Sequence, residues 1–396
     1  MTEEIFIGKK IIDVLTLKMY SDPLIIFREY IQNSIDSIEN AIQENILEGR
    51  DASDIQVLIN ENGKTIEITD NGTGLQREGF FNTLTKIADS EKEVDKHIGQ
   101  IGIGRLAGLA YCSSLIMEST YANEATKSII IWDCKKLYEL LGNTKRLTAS
   151  EVIREIVTLR EAPIDASSHY FSVKLKDVNN PILLDVEKVF SYISLNCPLP
   201  FRPDFHYRKS IYDELKRLNI SINEYSIFVN ERQATKNYKT VIYKKSDGPN
   251  GKKKVDDIRG VNFKTFHNKK GEILAFCWYT ISGKLQSIDR INNPGIKYRK
   301  MNMQVGGDDA LRSYFNQQRF SNYFIGELHI LHKDIRTNSQ RDYFQDSKSL
   351  RDLTVELREF SKALSNICYR ASSVNSLVKN ILSAKDSTEE YLEKKE

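Results

Sequence analysis

Three short motifs, in one order within about 80 residues, constrain this chain more than any other feature of it. The first lies at residues 27–37 (FREYIQNSIDS), on a helix introduced by Ser21-Asp22-Pro23, a capping residue followed by a proline that tolerates a first turn. Glu29, Asn33 and Asp36 are spaced i, i+4, i+7 and share one narrow face, while Ile31, Ile35 and Ile38 occupy another. A polar stripe of this kind is ordinarily solvated. Glu29, however, has no Lys or Arg at i+4 to pair with. An acid–amide–acid row suits a metal ion and a water better than bulk solvent.

The second motif follows a hairpin. Residues 55–59 and 65–69 read as strands, with Asn62-Gly63 as a two-residue turn. The second strand runs into Asp70-Asn71-Gly72-Thr73-Gly74. An acid at a strand end followed by two glycines lets backbone approach a flat ligand while the carboxylate accepts from a donor on its edge, such as a purine amino group. A plain Asp-Asn-Gly turn has the same residues. The third motif is residues 98–105 (IGQIGIGR), which lead into an apolar helix containing Gly108. Glycines ahead of a helix expose amide N–H groups where a phosphate would sit. The spacing is G-x-x-G-x-G rather than G-x-G-x-x-G, and no Walker lysine follows, so neither a dinucleotide fold nor a P-loop is indicated. Between the second and third motifs, residues 85–97 are charged and aperiodic, as a mobile cover over a site would be.

The rest of the chain sets bounds. At 396 residues, with 19 Tyr, 17 Phe and 2 Trp, it is long enough for two or three cored domains. Its 57 Lys and Arg against 54 Asp and Glu leave +3, so any nucleic-acid surface must be a local patch. Apolar runs are too short for a membrane span, and the first ten residues lack the apolar centre of a signal peptide, which together point to no membrane and a cytoplasmic location. Five scattered cysteines without a CxxC pair argue against a disulfide framework or structural zinc. The proline-bearing stretch 197–203 reads as a domain boundary. Beyond it come strands at 226–229, 240–243, 273–279 and 326–331, interrupted by a polar loop from Lys244 to Asp257 whose five lysines are diluted by aspartates. After Asp346 one long helix follows. In it Leu350, Leu353, Leu357, Phe360, Leu364, Ile367, Ala371, Val374, Val378 and Ile381 keep a 3-4 spacing that serves equally a coiled-coil seam or a helix packed on its own chain.

The ordered set E-x-x-x-N-S-x-D, D-x-G-x-G, G-x-x-G-x-G resembles that of the GHKL (Bergerat-fold) ATPases, which include Hsp90, type II topoisomerase ATPase subunits, MutL, MORC proteins and histidine kinases. Residues 29–36 are most similar to the Hsp90, MORC and topoisomerase VI branch, and residues 85–90 resemble the Hsp90 lid. The resemblance implies an α+β chain. Residues 1–200 would form a two-layer α/β sandwich of the Bergerat type, 206–346 a ribosomal S5 domain 2-like transducer domain, and 347–396 a long helix. It implies ATP and Mg²⁺ as cofactors and an ATPase activity. Glu29 would activate the attacking water and Asn33 would bind Mg²⁺, with Asp36 beside them in the nucleotide site. Asp70 would accept from the adenine amino group, with Gly72 and Gly74 allowing close approach. Gly99, Gly102 and Gly104 would serve the phosphates. From the second domain, Arg341 would reach the γ-phosphate, with Lys333 and Arg336 in reserve. A Gly-Thr that the family often carries on a later strand is replaced here by the stretch 168–172 (SHYFS), which puts fast hydrolysis in doubt. The resemblance also implies a homodimer acting on a macromolecular client, protein or nucleic acid being undecided. The alternative is a nucleotide-occupancy sensor, or an ATPase subunit of a larger DNA-maintenance or defence complex without robust turnover of its own.

Overall fold

The computed structural model describes residues 7–14, 22–86, 104–246, 251–284, 286–307, 310–338 and 342–393. The chain forms two compact units, one of residues 1–200 with 223–236 and one of residues 201–222 with 237–396. In chain order the first unit contains α1 (Lys10–Ile12), α2 (Ile25–Gln43), β1 (Ile55–Asn60), β2 (Thr65–Asp70), α3 (Arg77–Thr85), β3 (Ser114–Thr120), β4 (Thr126–Asp133), α4 (Cys134–Gly142), α5 (Ala149–Ile156), β5 (Val157–Pro163), β6 (Tyr170–Lys176) and α6 (Val186–Asn196). After α7 (Arg208–Arg217), which belongs to the second unit, the chain returns to the first with β7 (Ile227–Val229) and β8 (Arg232–Gln233). The sequence reading, which assigned everything from 206 to 346 to one domain, does not contain this excursion.

The first unit is a two-layer α/β sandwich. Its eight strands run in the order β5-β4-β3-β6-β2-β1-β7-β8, antiparallel except for the parallel pair β1/β7. Alternation decides which residues face the helices. Ile55, Val57 and Ile59 of β1 point inward, as do Ile66 and Ile68 of β2. The same period carries Asp70 to the inward face at the end of β2. The turn between β1 and β2 has four residues, Glu61 to Lys64, rather than the expected two. Asn60 Oδ1 accepts from Gly63 N at 2.8 Å, and Lys64 takes φ 49°. The expected helix after the third motif is a short 3-10 helix, Gly104–Ala110, packed on α2. Tyr30 of α2 accepts the Gly108 amide at 2.8 Å, and any side chain at 108 would meet that hydroxyl.

The second unit adds β9 (Val241–Lys245), β10 (Lys252–Asp257), β11 (Asn262–His267), β12 (Ile273–Ile281), β13 (Gly295–Lys300), β14 (Met303–Val305), β15 (Phe324–Ile330) and α8 (Lys348–Glu393). Strands β9 and β10 pair with each other, so the stretch 244–257 read as a polar loop is largely a hairpin. The five-stranded sheet β11-β12-β15-β13-β14 carries an apolar core on each face. Its central strand, β15, is buried along its whole length although it contains Glu327 and His329. Glu327 collects four donors: Arg299 Nε at 2.7 Å and Tyr238 OH at 3.1 Å on one oxygen, Trp278 Nε1 and His329 Nε2 at 3.2 Å each on the other. A buried carboxylate survives only with this kind of complete pairing.

Helix α8 splits the 3-4 seam in two. Leu353, Leu357, Phe360, Leu364 and Ala371 are buried, with the Phe360 ring edge-on to Phe266 and Tyr279. Val374, Val378 and Ile381 continue the seam but are 54%, 48% and 67% exposed. Among the described residues no helix is long and apolar enough to cross a membrane. All five cysteines are buried and unbridged, the nearest pair being Cys112 and Cys134 with sulfurs 3.7 Å apart. Leu357→Ala should cost about 2–5 kcal/mol of unfolding free energy in urea titrations, whereas Val355→Ala, exposed and off the seam, should stay within about 0.5 kcal/mol of the parent.

Candidate functional site

Helix α2 begins where Asp22 Oδ1 accepts the Leu24 amide at 3.0 Å and the Asp22 carbonyl accepts that of Ile25. It is buried on nearly every side, polar and charged residues included: Arg28, Glu29, Gln32 and Asp36 are all below a tenth exposed. Apolar residues on several faces hold it against the sheet, and the polar row is carried inside with them. Asn33 is half-buried on the same face as Glu29 and Asp36.

Glu29 has two different neighbours. Its Oε1 lies 3.6 Å from the Arg28 guanidinium, an adjacent residue rather than the i+4 partner whose absence the sequence suggested. Its Oε2 stands where a side chain at position 104 would have to go, with a Cβ built on Gly104 only 2.1 Å away. A side chain at 104 would therefore displace the Glu29 carboxylate from its present position. Residues 87–103, which hold Gly99, Gly102 and the expected cover over 87–97, lie outside the described residues, as does Arg341. Of the reserve cations, Lys333 is exposed and Arg336 half-buried in the turn after β15.

The second motif is stitched to the later turns of α2. Thr73 N donates to the Ser37 carbonyl at 3.2 Å and Gly74 N to Ser37 Oγ at 3.4 Å. A Cβ on Gly72 would collide with Ser37 at 2.2–2.6 Å. Gly74 sits at φ 70°, a left-handed conformation in which any Cβ would also strike the Thr120 and Tyr170 carbonyls. Below this loop Asp70 is 2% exposed. Its Oδ1 accepts the Gly72 amide at 3.0 Å. Its Oδ2 is buried without a hydrogen bond of acceptable geometry, although the hydroxyls of Ser34 and Ser37 lie close enough to favour the charged form. Burial outweighs these donors and pushes the carboxyl up to about 7. A buried acceptor without a hydrogen bond beneath a glycine loop is what an edge donor on a flat ligand would satisfy.

Sequence reasoning missed three contributors. His169 Nδ1 lies 2.8 Å from the Gly72 carbonyl and fixes the loop from the β6 side. Ser119 Oγ accepts Leu75 N and donates to the Tyr170 carbonyl, both at 2.8 Å. Gln32 is 1% exposed and neither end of its amide has a partner among the described residues. The stretch 168–172 was the only one of these regions with a prior signal. Register there sets Phe171 opposite Asp70, while Ser172 turns to the other face of the sheet and bonds Thr69 Oγ1 at 3.0 Å. No hydroxyl of β6 therefore stands across from Asp70.

The first unit thus brings a helix-borne carboxylate, a buried strand-end aspartate and two close-approach glycines together on one two-layer α/β sandwich. Residues 24–159 match the family of histidine kinase-, DNA gyrase B- and HSP90-like ATPases. The chain is also similar to chaperone protein HtpG of Buchnera aphidicola subsp. Baizongia pistaciae, 29% identical over 163 residues that make up 36% of this chain and 26% of that protein. With HtpG of Polaromonas sp. it shares 26% identity over 205 residues, 45% of this chain and 32% of the relative. With HtpG of Idiomarina loihiensis it shares 30% over 141 residues, 31% and 22% respectively. These matches span about a quarter to a third of the chaperones' length. Over residues 24–159 the first unit is thus similar to the ATPase domain of histidine kinase-, DNA gyrase B- and HSP90-like proteins, and the relatives it matches are HtpG chaperones.

Asp70 gives a pH signature. Its unfolded carboxyl titrates near 3.8 and its folded one near 7, so above 3.8 the unfolded chain ionises first. Stability falls as pH rises from about 4 to 7, by up to about 4 kcal/mol. Asp70→Asn should escape that loss: melting temperatures of the two proteins should diverge in favour of the variant as pH is raised from 4 to 7.

Proposed function

We propose that this chain is a Mg²⁺-dependent ATP-binding and ATP-hydrolysing conformational machine. The observation that carries this reading is the reach of α2. Its early turns set Glu29 against Gly104, and its later turns set Ser34 and Ser37 against Asp70. Glu29 and Ser37 are separated by roughly 12 Å of helix, the reach of a nucleoside with its phosphate chain. One buried element thus addresses both ends of an elongated ligand.

In this reading Asp70 accepts from the adenine amino group through its unpartnered oxygen, with Gly72 and Gly74 leaving room for the base. Gly104, together with Gly99 and Gly102, gives amides to the phosphates. Asn33 holds Mg²⁺, which offsets phosphate charge when bound, and Asp36 supports that end of the site. Glu29 takes a proton from the attacking water, its orientation held by Arg28 on one side and the Gly104 backbone on the other. The segment 85–97 closes over the nucleotide, and a cation of the S5 domain 2-like second domain, Arg341 foremost, meets the γ-phosphate. Two copies associate through the uncovered part of α8, and the cycle acts in the cytoplasm on a macromolecular client.

A second reading is supported by Phe171. With no β6 hydroxyl facing Asp70, the site suits occupancy sensing with slow or partner-stimulated turnover. The two are separated by Mg²⁺-dependent phosphate release and nucleotide binding, measured on the parent and on Glu29→Gln. Turnover that falls about a hundredfold or more in the variant, with ATP binding kept, is the expected result. Binding without turnover in either protein selects the sensor, and absence of binding overturns the nucleotide reading.

A further inference from the structure

The β9–β10 ribbon of the second unit has a charge pattern that hairpins normally avoid. Its register sets Lys245 directly opposite Lys252 and Lys244 directly opposite Lys253. Like charges facing across a strand pair destabilise it. All four lysines are exposed, and none has a carboxylate partner among the described residues. The acids of β10 are engaged elsewhere, and Asp247 lies outside the described residues. Asp257 pairs with Lys254 at 2.9 Å, and Asp256 is buried, accepting the amides of Asp257 and Lys284.

Alternation places Lys245 and Lys252 with Tyr243 on one face and Lys244 and Lys253 on the other. Lys252 Nζ lies 5.3 Å over the Tyr243 ring. The positive field is felt at the base of the ribbon, where burial and then the charges of Lys252 and Arg202 lower the Lys239 pKa. The ribbon is also firmly mounted. Asn292 accepts Tyr243 N at 2.8 Å and donates to Tyr243 O at 2.7 Å, and Ile242 is part of the unit's core.

We propose that this ribbon is a docking element for double-stranded DNA that enters a groove between two phosphate backbones. An anionic membrane or a flat acidic surface meets only one face of a ribbon, whereas a groove offers phosphates to both. The major groove of B-DNA, about 12 Å wide, admits a two-stranded ribbon. That of A-form RNA is too narrow for side chains to use. Lysines act as point charges, so binding is independent of sequence and steep in salt. The inference stands on the second unit alone and needs no nucleotide. If it holds it selects nucleic acid as the client, and if it fails the ATPase reading is untouched.

The test uses the full chain without ATP and a short labelled DNA duplex of arbitrary sequence, read by fluorescence anisotropy over a range of salt. Each neutralised phosphate contributes about −0.9 to the slope of log K against log salt. Replacing Lys244, Lys245, Lys252 and Lys253 together by Ala should flatten the slope by about 3 to 4 and weaken low-salt binding about tenfold or more. The pairs Lys245→Ala with Lys252→Ala and Lys244→Ala with Lys253→Ala should each remove about half of that slope. Thermal melting of the fourfold variant should match or exceed the parent's, since repulsion is relieved, which rules out loss of fold as the cause. Unchanged DNA affinity in the fourfold variant overturns the proposal. So does an effect confined to one face, or a loss of binding to phosphatidylserine vesicles while DNA binding is kept.

Discussion

Everything in the first unit turns on a carboxylate placed where the pleat of β2 demands an apolar residue. Ile66, Ile68 and Asp70 share the inward face, and the sheet cannot bury two of them without burying the third. The cost of desolvating Asp70 is partly offset by the Gly72 amide and the α2 hydroxyls, and the remainder is kept as an unsatisfied oxygen. The loop above it must then approach α2 closely enough to exclude any side chain at 72 or 74. The same helix, held down by its isoleucines, brings Glu29 to the opposite end. A single buried helix and a single misplaced acid therefore set the geometry of the whole cleft.

How much of this a reader can take from the sequence depends on how local the cause is. The helix face of Glu29, Asn33 and Asp36, the hairpin of β1 and β2 and the length of α8 all follow from spacing within one segment, and each is present. Gly72 and Gly74 were read as positions of close approach to a ligand; within the fold the neighbours they approach are Ser37 and the Thr120 and Tyr170 carbonyls. Of the β9–β10 ribbon only the start of β9 was read as strand, because strand propensity is weak in a run of lysines and the pairing is decided by register across the turn. The 3-10 helix 104–110 was likewise read as ordinary helix, since apolar content alone does not distinguish the two. His169 and Ser119 reach the Asp70 loop through contacts across 97 and 44 residues, beyond any local pattern.

The 3-4 seam of α8 illustrates a different limit. Ten apolar positions in register say that one face is meant to be covered, but not by what. The structure covers most of the first part with the helix's own sheet, leaves Ile367 within it 42% exposed, and leaves the last three positions open. A repeat that looks uniform in sequence thus serves two environments, and only the packing of Phe360 between Phe266 and Tyr279 marks where the intramolecular role is carried out.

The four donors that meet on Glu327 come from the segment around Tyr238 and from β12, β13 and β15. None of these strands can separate from the sheet without stranding a charge in an apolar interior, so the centre of the second unit has no inexpensive partial opening. It is expected to behave as one cooperative block whose middle amides are released to solvent together. A body of that kind transmits a push applied at its edge to its far side rather than absorbing it by local fraying.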